Sequence, residues 1–359
     1  MKVLHYVDEN RLVWMAPWIQ LLKELERLGV DNVVVCRNGG TLGDALREND
    51  ILFRTYTPLA QWLPPVDHGI GRIIREEKPD MIHTRLSSAA RIGGYWGKKL
   101  NIPVISTFDK YPKATYYKNS DILIGCSSAV TEHIKTLDLP HARMITTVLN
   151  PVLSERYARD ESVRKSFRTE KGILSGETVV LGMGRFVDWK AWDDYLSAVA
   201  LIPDELPLRF WLVGDGDQEE YLRSLAHKLG VDDRVRFFPF ASDVRPWLWA
   251  ADMFVQPSRE PEGFSLMLIE AMASGVIPIA TNIGGTLDIV RDGENGYLFV
   301  PRDVPRLAEL IQKAQRFVQD NTIAHNAVLS AQEISVAKIA AQTFALYSKA
   351  IAQPEEKEP

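Results

Sequence analysis

The sequence predicts an α/β protein with two doubly wound parallel sheets, each covered by helices on both faces. Short apolar runs typical of buried strands alternate with amphipathic helices from residue 2 to about residue 148. A polar connector follows, from Asn150 to about Glu177, and the alternation restarts at Val179. The chain has 359 residues, and single cores rarely grow beyond about 250–300 residues. We therefore expect two domains that divide near residue 150.

In the first half, residues 2–7 form an apolar strand. Pro17 stands where the first turn of a helix tolerates proline, and this helix has an apolar face that includes Trp18, Leu22 and Leu25 before it ends at Gly29. The same patterns predict further strands at 32–36, 51–53, 81–83, 103–106, 122–124 and 144–148, and helices at 70–77, 87–100 and 129–137.

In the second half, the pattern predicts strands at 179–183, 208–213, 235–237, 251–255 and 276–280, with a short strand within 293–300. Helices are expected at 192–201, 218–229, 244–250, 304–317 and 334–352. One more helix follows residues 251–255: Ser265 is the expected N-cap, Leu266, Ile269 and Ala273 form its buried face, and Gly275 ends it.

This last helix begins just beyond the carboxyl end of a strand, where its free N–H groups suit a phosphate. Gly263 lets the backbone approach a ligand, and Glu262 precedes the helix. Glu270 lies eight residues further on, on a similar side of the helix. Since carboxylates accept hydrogen bonds from hydroxyl groups, phosphates flanked by polyols fit this pattern. The ligand class that it favours is a nucleotide sugar, although either glutamate alone is commonly just a surface charge.

The stretch from Glu262 through Ser265 to Glu270 and Gly275 resembles the signature of glycosyltransferase family four (group 1), whose members are retaining enzymes of the GT-B fold. The resemblance implies two Rossmann-like domains facing a central cleft, with the last helix, about 335–352, crossing back to residues 1–150. The second domain, 151–334, would bind the donor and the first the acceptor. Glu262 would bind the donor sugar, Glu270 the ribose hydroxyls, and the backbone of Gly263, Phe264 and Ser265 the diphosphate.

A second group of candidate residues follows the strand 179–183. Gly184 and Arg185 come at its end, and Lys190 stands five residues after Arg185. Two fixed cations suit a diphosphate leaving group, and the family has a similar Gly-Arg and Lys-Gly here, with Ala191 replacing the second glycine. By the same resemblance, the loop after Phe238 would hold the base. The glycines 214, 216, 284 and 285 are packing turns at least as readily as ligand contacts.

The first domain resembles the family less closely. His83 ends a strand, where the resemblance implies contact with the transferred sugar and the acceptor. Arg85 and Asp109 stand where the family often has histidines, and Asp109 is a candidate to accept a hydroxyl proton. The first loop lacks the usual Gly-Gly pair, since residues 11–15 read Arg-Leu-Val-Trp-Met.

Composition excludes several classes of protein. The two cysteines, Cys36 and Cys126, stand in apolar strand-like contexts and are expected to be buried thiols. No metal-ligand spacing, signal peptide, spanning apolar run, nucleic-acid module or dinucleotide Gly-x-Gly-x-x-Gly turn is seen. The net charge of −5 is unevenly spread, and residues 1–150 are the more basic part. That part could be an ordinary solvated surface, meet an acidic acceptor or contact an anionic membrane.

The expected function is transfer of a sugar from a nucleotide diphosphate sugar to a hydroxyl of a glycan or glycolipid, as in lipopolysaccharide or other cell-surface polysaccharide synthesis. The resemblance implies retention of configuration, no metal and no cofactor, and a cytoplasmic protein at the inner membrane face is expected. Two alternatives stay open: an epimerase or phosphorylase of the same fold, and a non-catalytic protein that binds nucleotide sugars.

Overall fold

The computed structural model describes residues 1–12, 14–318 and 320–352, which divide into two compact units. The first unit contains Met1–Pro151 and the segment that begins at Val336, and the second contains Val152–Ser335. Within these described ranges, no helix is long and apolar enough to cross a membrane.

The first unit has a seven-stranded parallel sheet. Its strands are β1 (Lys2–Val7), β2 (Asp31–Cys36), β3 (Phe53–Thr55), β4 (Met81–Arg85), β5 (Val104–Phe108), β6 (Ile122–Gly125) and β7 (Met144–Thr147). The order across the sheet is β3-β2-β1-β4-β5-β6-β7. The helices of residues 1–151 are α1 (Met15–Arg27), α2 (Gly40–Glu48), α3 (His68–Glu77), α4 (Ser87–Leu100) and α5 (Ser128–Lys135).

The second unit has a six-stranded parallel sheet of β8 (Thr178–Met183), β9 (Leu208–Val213), β10 (Val235–Phe238), β11 (Met253–Gln256), β12 (Ile277–Thr281) and β13 (Tyr297–Phe299). Its order is β10-β9-β8-β11-β12-β13. Its helices are α6 (Ser154–Tyr157), α7 (Glu161–Glu170), α8 (Trp192–Ala200), α9 (Glu219–Leu229), α10 (Arg245–Ala250), α11 (Leu266–Ala273), α12 (Val304–Gln315) and α13 (Thr322–Glu333). The last helix, α14 (Val336–Ala352), belongs to the first unit and packs against α1.

Both sheets reverse their strand order at one point, between β1 and β4 in the first unit and between β8 and β11 in the second. In open α/β sheets, ligands bind outside the carboxyl ends of the strands at such a switch point. The structure therefore confirms the predicted fold class and identifies the loops that matter most: those after β1 and β4, and those after β8 and β11.

Some elements differ from the sequence prediction. The strand expected at 51–53 is displaced to Phe53–Thr55, and α2 and α13 were not predicted. The helix α2 is only nine residues long, buries only Leu42 and Leu46, and begins at Gly39 and Gly40, which in a sequence are typical of a turn. In α11, Leu268 is fully buried whereas the predicted Leu266 is half-buried. The prediction that Cys36 and Cys126 are buried thiols is confirmed.

Candidate functional site

The switch point of the second unit brings together two predicted site residues that are far apart in sequence. Lys190, in the loop after β8, donates from Nζ to Oε1 of Glu262, in the loop after β11, over 2.7 Å. The hydroxyl of Ser258 donates to the same oxygen over 2.9 Å. Both charged side chains are mostly buried, with 14% and 15% exposed. The cation and the carboxylate thus neutralise each other at the edge of the sheet.

The N-terminus of α11 lies beside this pair. The hydroxyl of Ser265 accepts a hydrogen bond from the N–H of Leu268 and donates one to Gln256, which confirms Ser265 as the N-cap. Among the described residues, none accepts a hydrogen bond from the backbone N–H of Gly263, Phe264 or Ser265. These donors and the helix dipole make the turn suited to an anion.

Two glycines after β12 hold the backbone of this turn. The N–H of Gly285 donates to the carbonyl of Glu262 over 3.0 Å. A Cβ at Gly285 would lie 2.4 Å from the carbonyl oxygen of Gly263, and one at Gly284 would lie 2.5 Å from that of Glu262. Because real Cβ atoms do not approach backbone so closely, both positions require glycine. Their role is to support the Glu262 turn.

Arg259 fixes the two loops relative to each other, and sequence reasoning missed it. Its guanidinium forms a bidentate pair with Asp194, at 2.7 and 3.2 Å, and also contacts Asp193 at 2.7 Å. Its backbone N–H donates to the carbonyl of Trp189 over 2.8 Å. Since both aspartates stand in the first turn of α8, directly after Lys190, the arginine connects the Glu262 loop to the Lys190 loop.

The loop after β8 takes a compact path. The indole of Trp192 donates to the carbonyl of Arg185 over 2.9 Å and packs under Gly184. Ala191 has a left-handed backbone with φ of 57°, a conformation that favours glycine. This conformation is the reason that a glycine suits this position in the family that the sequence resembles. The side chain of Arg185 is exposed and forms no ion pair with any described residue, so it is open to a ligand.

The turn at Gly214 and Gly216 has a structural role. A Cβ at Gly214 would lie 2.0 Å from the carbonyl oxygen of Gly184, and one at Gly216 would lie 2.3 Å from that of Phe186. The N–H of Phe186 donates to the carbonyl of Asp215 over 2.6 Å. The glycines therefore allow this turn to pack against the loop that presents Arg185.

Glu270 is the most perturbed acid of the second unit's site. Its Oε1 accepts a hydrogen bond from the hydroxyl of Tyr157 over 2.7 Å. Burial raises the pKa of Glu270 to about 7, and the Tyr157 hydrogen bond and the charge of Arg156 only partly offset this effect. Burial also raises the pKa of Tyr157, so its hydroxyl stays protonated and remains a donor.

Further contacts hold this pair in place. The guanidinium of Arg159 donates to the carbonyls of Ser274 and Gly275 at the end of α11, and the indole of Trp249 donates to the carbonyl of Tyr157. No sequence signal marked these partners, since Tyr157 and Glu270 are 113 positions apart.

The role of Phe238 in donor binding stays a prediction, and the structure shows its contacts within the second unit. Its ring packs against Trp211 and Trp247, with ring centroids 5.7 and 4.8 Å apart, and its carbonyl accepts a hydrogen bond from the N–H of Gly214. These contacts occupy the ring and the carbonyl. Phe240, two positions later, is 66% exposed and is the aromatic side chain of this loop that remains open.

In the first unit, His83 lies at the switch point but is fully engaged. Its Nδ1 is 2.5 Å from the hydroxyl of Tyr347 on α14, and its Nε2 is 2.8 Å from the hydroxyl of Thr107. Burial lowers the pKa of His83 well below its ordinary value, and neighbouring His5 and Arg85 lower it further. The imidazole is therefore neutral. Its role in substrate contact stays a prediction, whereas its place in a buried network is observed.

Arg85 and Asp109, the two departures from the family pattern, form an ion pair. The same guanidinium donates to Asn150 over 2.6 Å and stacks on the ring of Trp14, 4.0 Å from its centroid. The carboxylate of Asp109 is thus engaged by Arg85, and its role as an acceptor of a hydroxyl proton stays a prediction. Val13, in the loop that lacks Gly-Gly, lies outside the described residues.

The residue after Arg85 is backbone-strained. Leu86 has φ of 75° and ψ of 150°, a combination that costs a residue with a side chain about 1–3 kcal/mol. It stands between the end of β4 and the start of α4, next to the Arg85 pair. Strain of this kind concentrates at functional sites, so this edge is the part of the first unit that merits mutagenesis.

Two family models match the chain in succession. Residues 18–156 match "Glycosyltransferase Family 4", and residues 163–322 match "Glycosyl transferases group 1". The chain belongs to the group 1 glycosyltransferases. This glycosyltransferase is 29% identical over 312 residues to the lipopolysaccharide core biosynthesis glycosyltransferase LpsE of Rhizobium meliloti. The match covers 85% of each of the two chains.

Solved structures show the same fold. HepE of Anabaena in complex with UDP superposes with a TM-score of 0.84 and 22% identity, over 97% of this chain and 100% of that one. A glycosyltransferase from Rickettsia africae gives a TM-score of 0.85 at 20% identity, over 98% and 99%. These structures confirm the predicted GT-B fold, and the family models with the likeness to LpsE confirm the prediction of a glycosyltransferase. Among the described residues, no group of three or more His, Cys, Asp and Glu side chains is arranged to hold a metal ion.

Proposed function

We propose that this glycosyltransferase takes a sugar from a nucleotide diphosphate sugar held by residues 152–335 and transfers it, with retention of configuration, to a hydroxyl group. The observation that carries this proposal is the Lys190–Glu262 pair beside the N–H groups of residues 263–265, which precede α11 and have no acceptor among the described residues. The complexes of HepE with UDP and with UDP-glucose support the class of donor.

Each residue has a chemical role in this proposal. Lys190 and the exposed Arg185 hold the diphosphate and stabilise the charge that develops as it leaves. The N–H groups of Gly263, Phe264 and Ser265 add neutral donors. When the diphosphate attracts Lys190, Glu262 is released and can accept a hydrogen bond from a hydroxyl of the donor sugar. The ionised Glu270 accepts hydrogen bonds from the ribose hydroxyls, which replace or join the one from Tyr157.

The proposed reaction needs neither a metal ion nor a dedicated base. The departing phosphate takes the proton of the acceptor hydroxyl on the same face of the sugar, and this gives retention. Two features of the first unit fit this scheme: His83 is neutral, and Asp109 is paired with Arg85. The base of the nucleotide is assigned to the loop after Phe238, with exposed Phe240 as its stacking partner.

The acceptor is proposed to be a glycan or glycolipid of a cell-surface polysaccharide, bound by the first unit. The likeness to LpsE, named for lipopolysaccharide core biosynthesis, supports this class. Contact with an anionic membrane surface through residues 1–151 is part of the same proposal, and exposed Lys110 and Lys113 follow the carboxyl end of β5.

Thermal-shift measurements with UDP, GDP, ADP, CMP and their common sugar derivatives, with and without EDTA, test the donor site. A ligand at about 100 times its Kd stabilises by about 2.7 kcal/mol. One nucleotide should stabilise the wild type and the control Lys228→Ala, an exposed lysine of α9, but much less Lys190→Ala. Survival of the shift in EDTA supports metal independence. Equal shifts in wild type and Lys190→Ala would contradict the assigned site.

The stereochemistry has its own test. Slow hydrolysis of the donor sugar, followed by proton NMR, should first release the anomer that the donor carried. Initial release of the opposite anomer would refute retention, and conversion of the donor into nucleotide and an altered sugar, or into another nucleotide sugar, would favour another nucleotide-sugar enzyme.

A further inference from the structure

The loop of residues 58–66 in the first unit exposes an unusual number of large apolar side chains. Leu59 is 82% exposed, Trp62 73%, Leu63 38% and Val66 36%. Scattered single exposed apolar residues are normal on soluble proteins, but a group on one short loop marks an interaction surface. We call residues 58–66 the apolar loop.

The apolar loop is held in place by buried polar contacts. The carboxylate of Asp67, which is fully buried, accepts hydrogen bonds from the N–H of Leu59 over 2.7 Å and from the hydroxyl of Tyr56 over 3.0 Å. The side chain of Gln61 donates to Asp8 over 2.8 Å. These hydrogen bonds hold the base of the loop in a defined conformation, from which the apolar side chains extend into solvent.

The same contacts locate the loop. Asp8 directly follows β1, and the N–H of Tyr56 donates to the carbonyl of Cys36 at the end of β2. The apolar loop therefore lies at the carboxyl ends of the strands, the edge at which open α/β sheets bind their ligands. An apolar surface at this edge can contact the lipid part of a glycolipid acceptor.

Charge distinguishes among possible occupants of this surface. Residues 51–66 contain no Asp or Glu. Exposed Arg72 follows on α3, and exposed Lys110 and Lys113 follow β5 at the same edge. Aromatic and aliphatic side chains next to cations are typical of segments that lie in the interface of an anionic bilayer.

We propose that the apolar loop inserts into an anionic lipid bilayer and docks the first unit on the membrane. Leu59 and Trp62 enter the interface, while Arg72 stays at the level of the phosphates. This inference rests on the proposed function in one respect, because it supplies the surface from which a glycolipid acceptor is taken.

Co-sedimentation with phosphatidylcholine vesicles, with and without phosphatidylglycerol, tests the inference on the full chain. The wild type should bind the vesicles that contain phosphatidylglycerol. Leu59→Ser combined with Trp62→Ser should weaken partitioning by about tenfold or more. Arg72→Gln should reduce only the gain that phosphatidylglycerol provides. The matched control is Leu174→Ser with Tyr221→Ser, two exposed apolar residues of the second unit.

Unchanged binding of the Leu59→Ser/Trp62→Ser variant would overturn the inference, as would absence of wild-type binding. A wild-type dimer in light scattering that this variant dissociates would assign the loop to a second copy instead. The nucleotide thermal shift separates the two proposals: vesicle binding without a shift removes the donor site, and a shift without vesicle binding removes only the membrane surface.

Discussion

Glu270→Gln should stabilise the second unit at alkaline pH. The folded protein raises the pKa of Glu270 from 4.5 to about 7, chiefly through burial. Ionising this carboxyl therefore disfavours the folded state by about 3 kcal/mol. Glutamine avoids that cost, and its carbonyl oxygen still accepts the hydrogen bond from Tyr157.

The sign of the pH dependence follows from linkage. Between pH 4.5 and 7 the folded state binds more protons at Glu270 than the unfolded state, so stability falls as the pH rises. Below pH 4.5 both states are protonated and the variant has no advantage. Above pH 7 both are ionised and the advantage is complete. For a unit of this size, about 3 kcal/mol corresponds to a rise in Tm of roughly 6–12 °C as an upper limit.

Melting temperatures of wild type and variant, measured by calorimetry from pH 5 to pH 9, provide the assay. The matched control is Glu205→Gln, an exposed glutamate of the same unit, and it should shift Tm by the same small amount at every pH. An advantage of Glu270→Gln that is absent at pH 8, or equal at pH 5 and pH 8, would refute the reasoning. The variant should also bind nucleotide about tenfold more weakly, since a hydrogen bond to a charged acceptor is lost.

Three further perturbations test the architecture of the same site. Tyr157→Phe removes a donor to the Glu270 carboxylate, so the acid limb of nucleotide binding, measured by calorimetric titration, should move to higher pH by about one unit; movement to lower pH would contradict the assignment. Arg259→Ala should weaken nucleotide binding more than Arg259→Lys, and it should lower the free energy of unfolding of the second unit by about 2–4 kcal/mol, because two carboxylates lose their partner. A loss of stability with unchanged nucleotide affinity would show that Arg259 has only a structural role. Gly285→Ala should displace the Glu262 turn and abolish the nucleotide shift, and full binding by this variant would exclude the supporting role.

Much of the fold was predictable because its signals are local. Apolar runs of strand length that alternate with amphipathic helices predict buried parallel strands, and the chain shows two such sheets. The N-cap at Ser265 and the end of α11 at Gly275 were predictable for the same reason, since cap chemistry depends on residues within one turn. By contrast, α2 was missed because it is short and begins at a Gly-Gly pair, which is typical of a turn.

The candidate site divides in the same way. The stretch that ends at Lys190 and the stretch that starts at Glu262 both indicated a site for phosphates and hydroxyls. Strand ends, glycines and helix starts can be recognised in the sequence. The family resemblance then assigned their roles. What the sequence did not contain was that these two side chains form a pair with each other.

The sequence by itself determined the class of fold, the positions of the candidate loops and the family. The tertiary structure alone decided the partners of the critical groups: Tyr157 with Glu270, Arg259 with Asp194, and Tyr347 with His83, at separations of 113, 65 and 264 positions. The physical reason is that a pKa or an ion pair depends on burial and on neighbours in space. Those neighbours come from distant segments, and no local pattern records them.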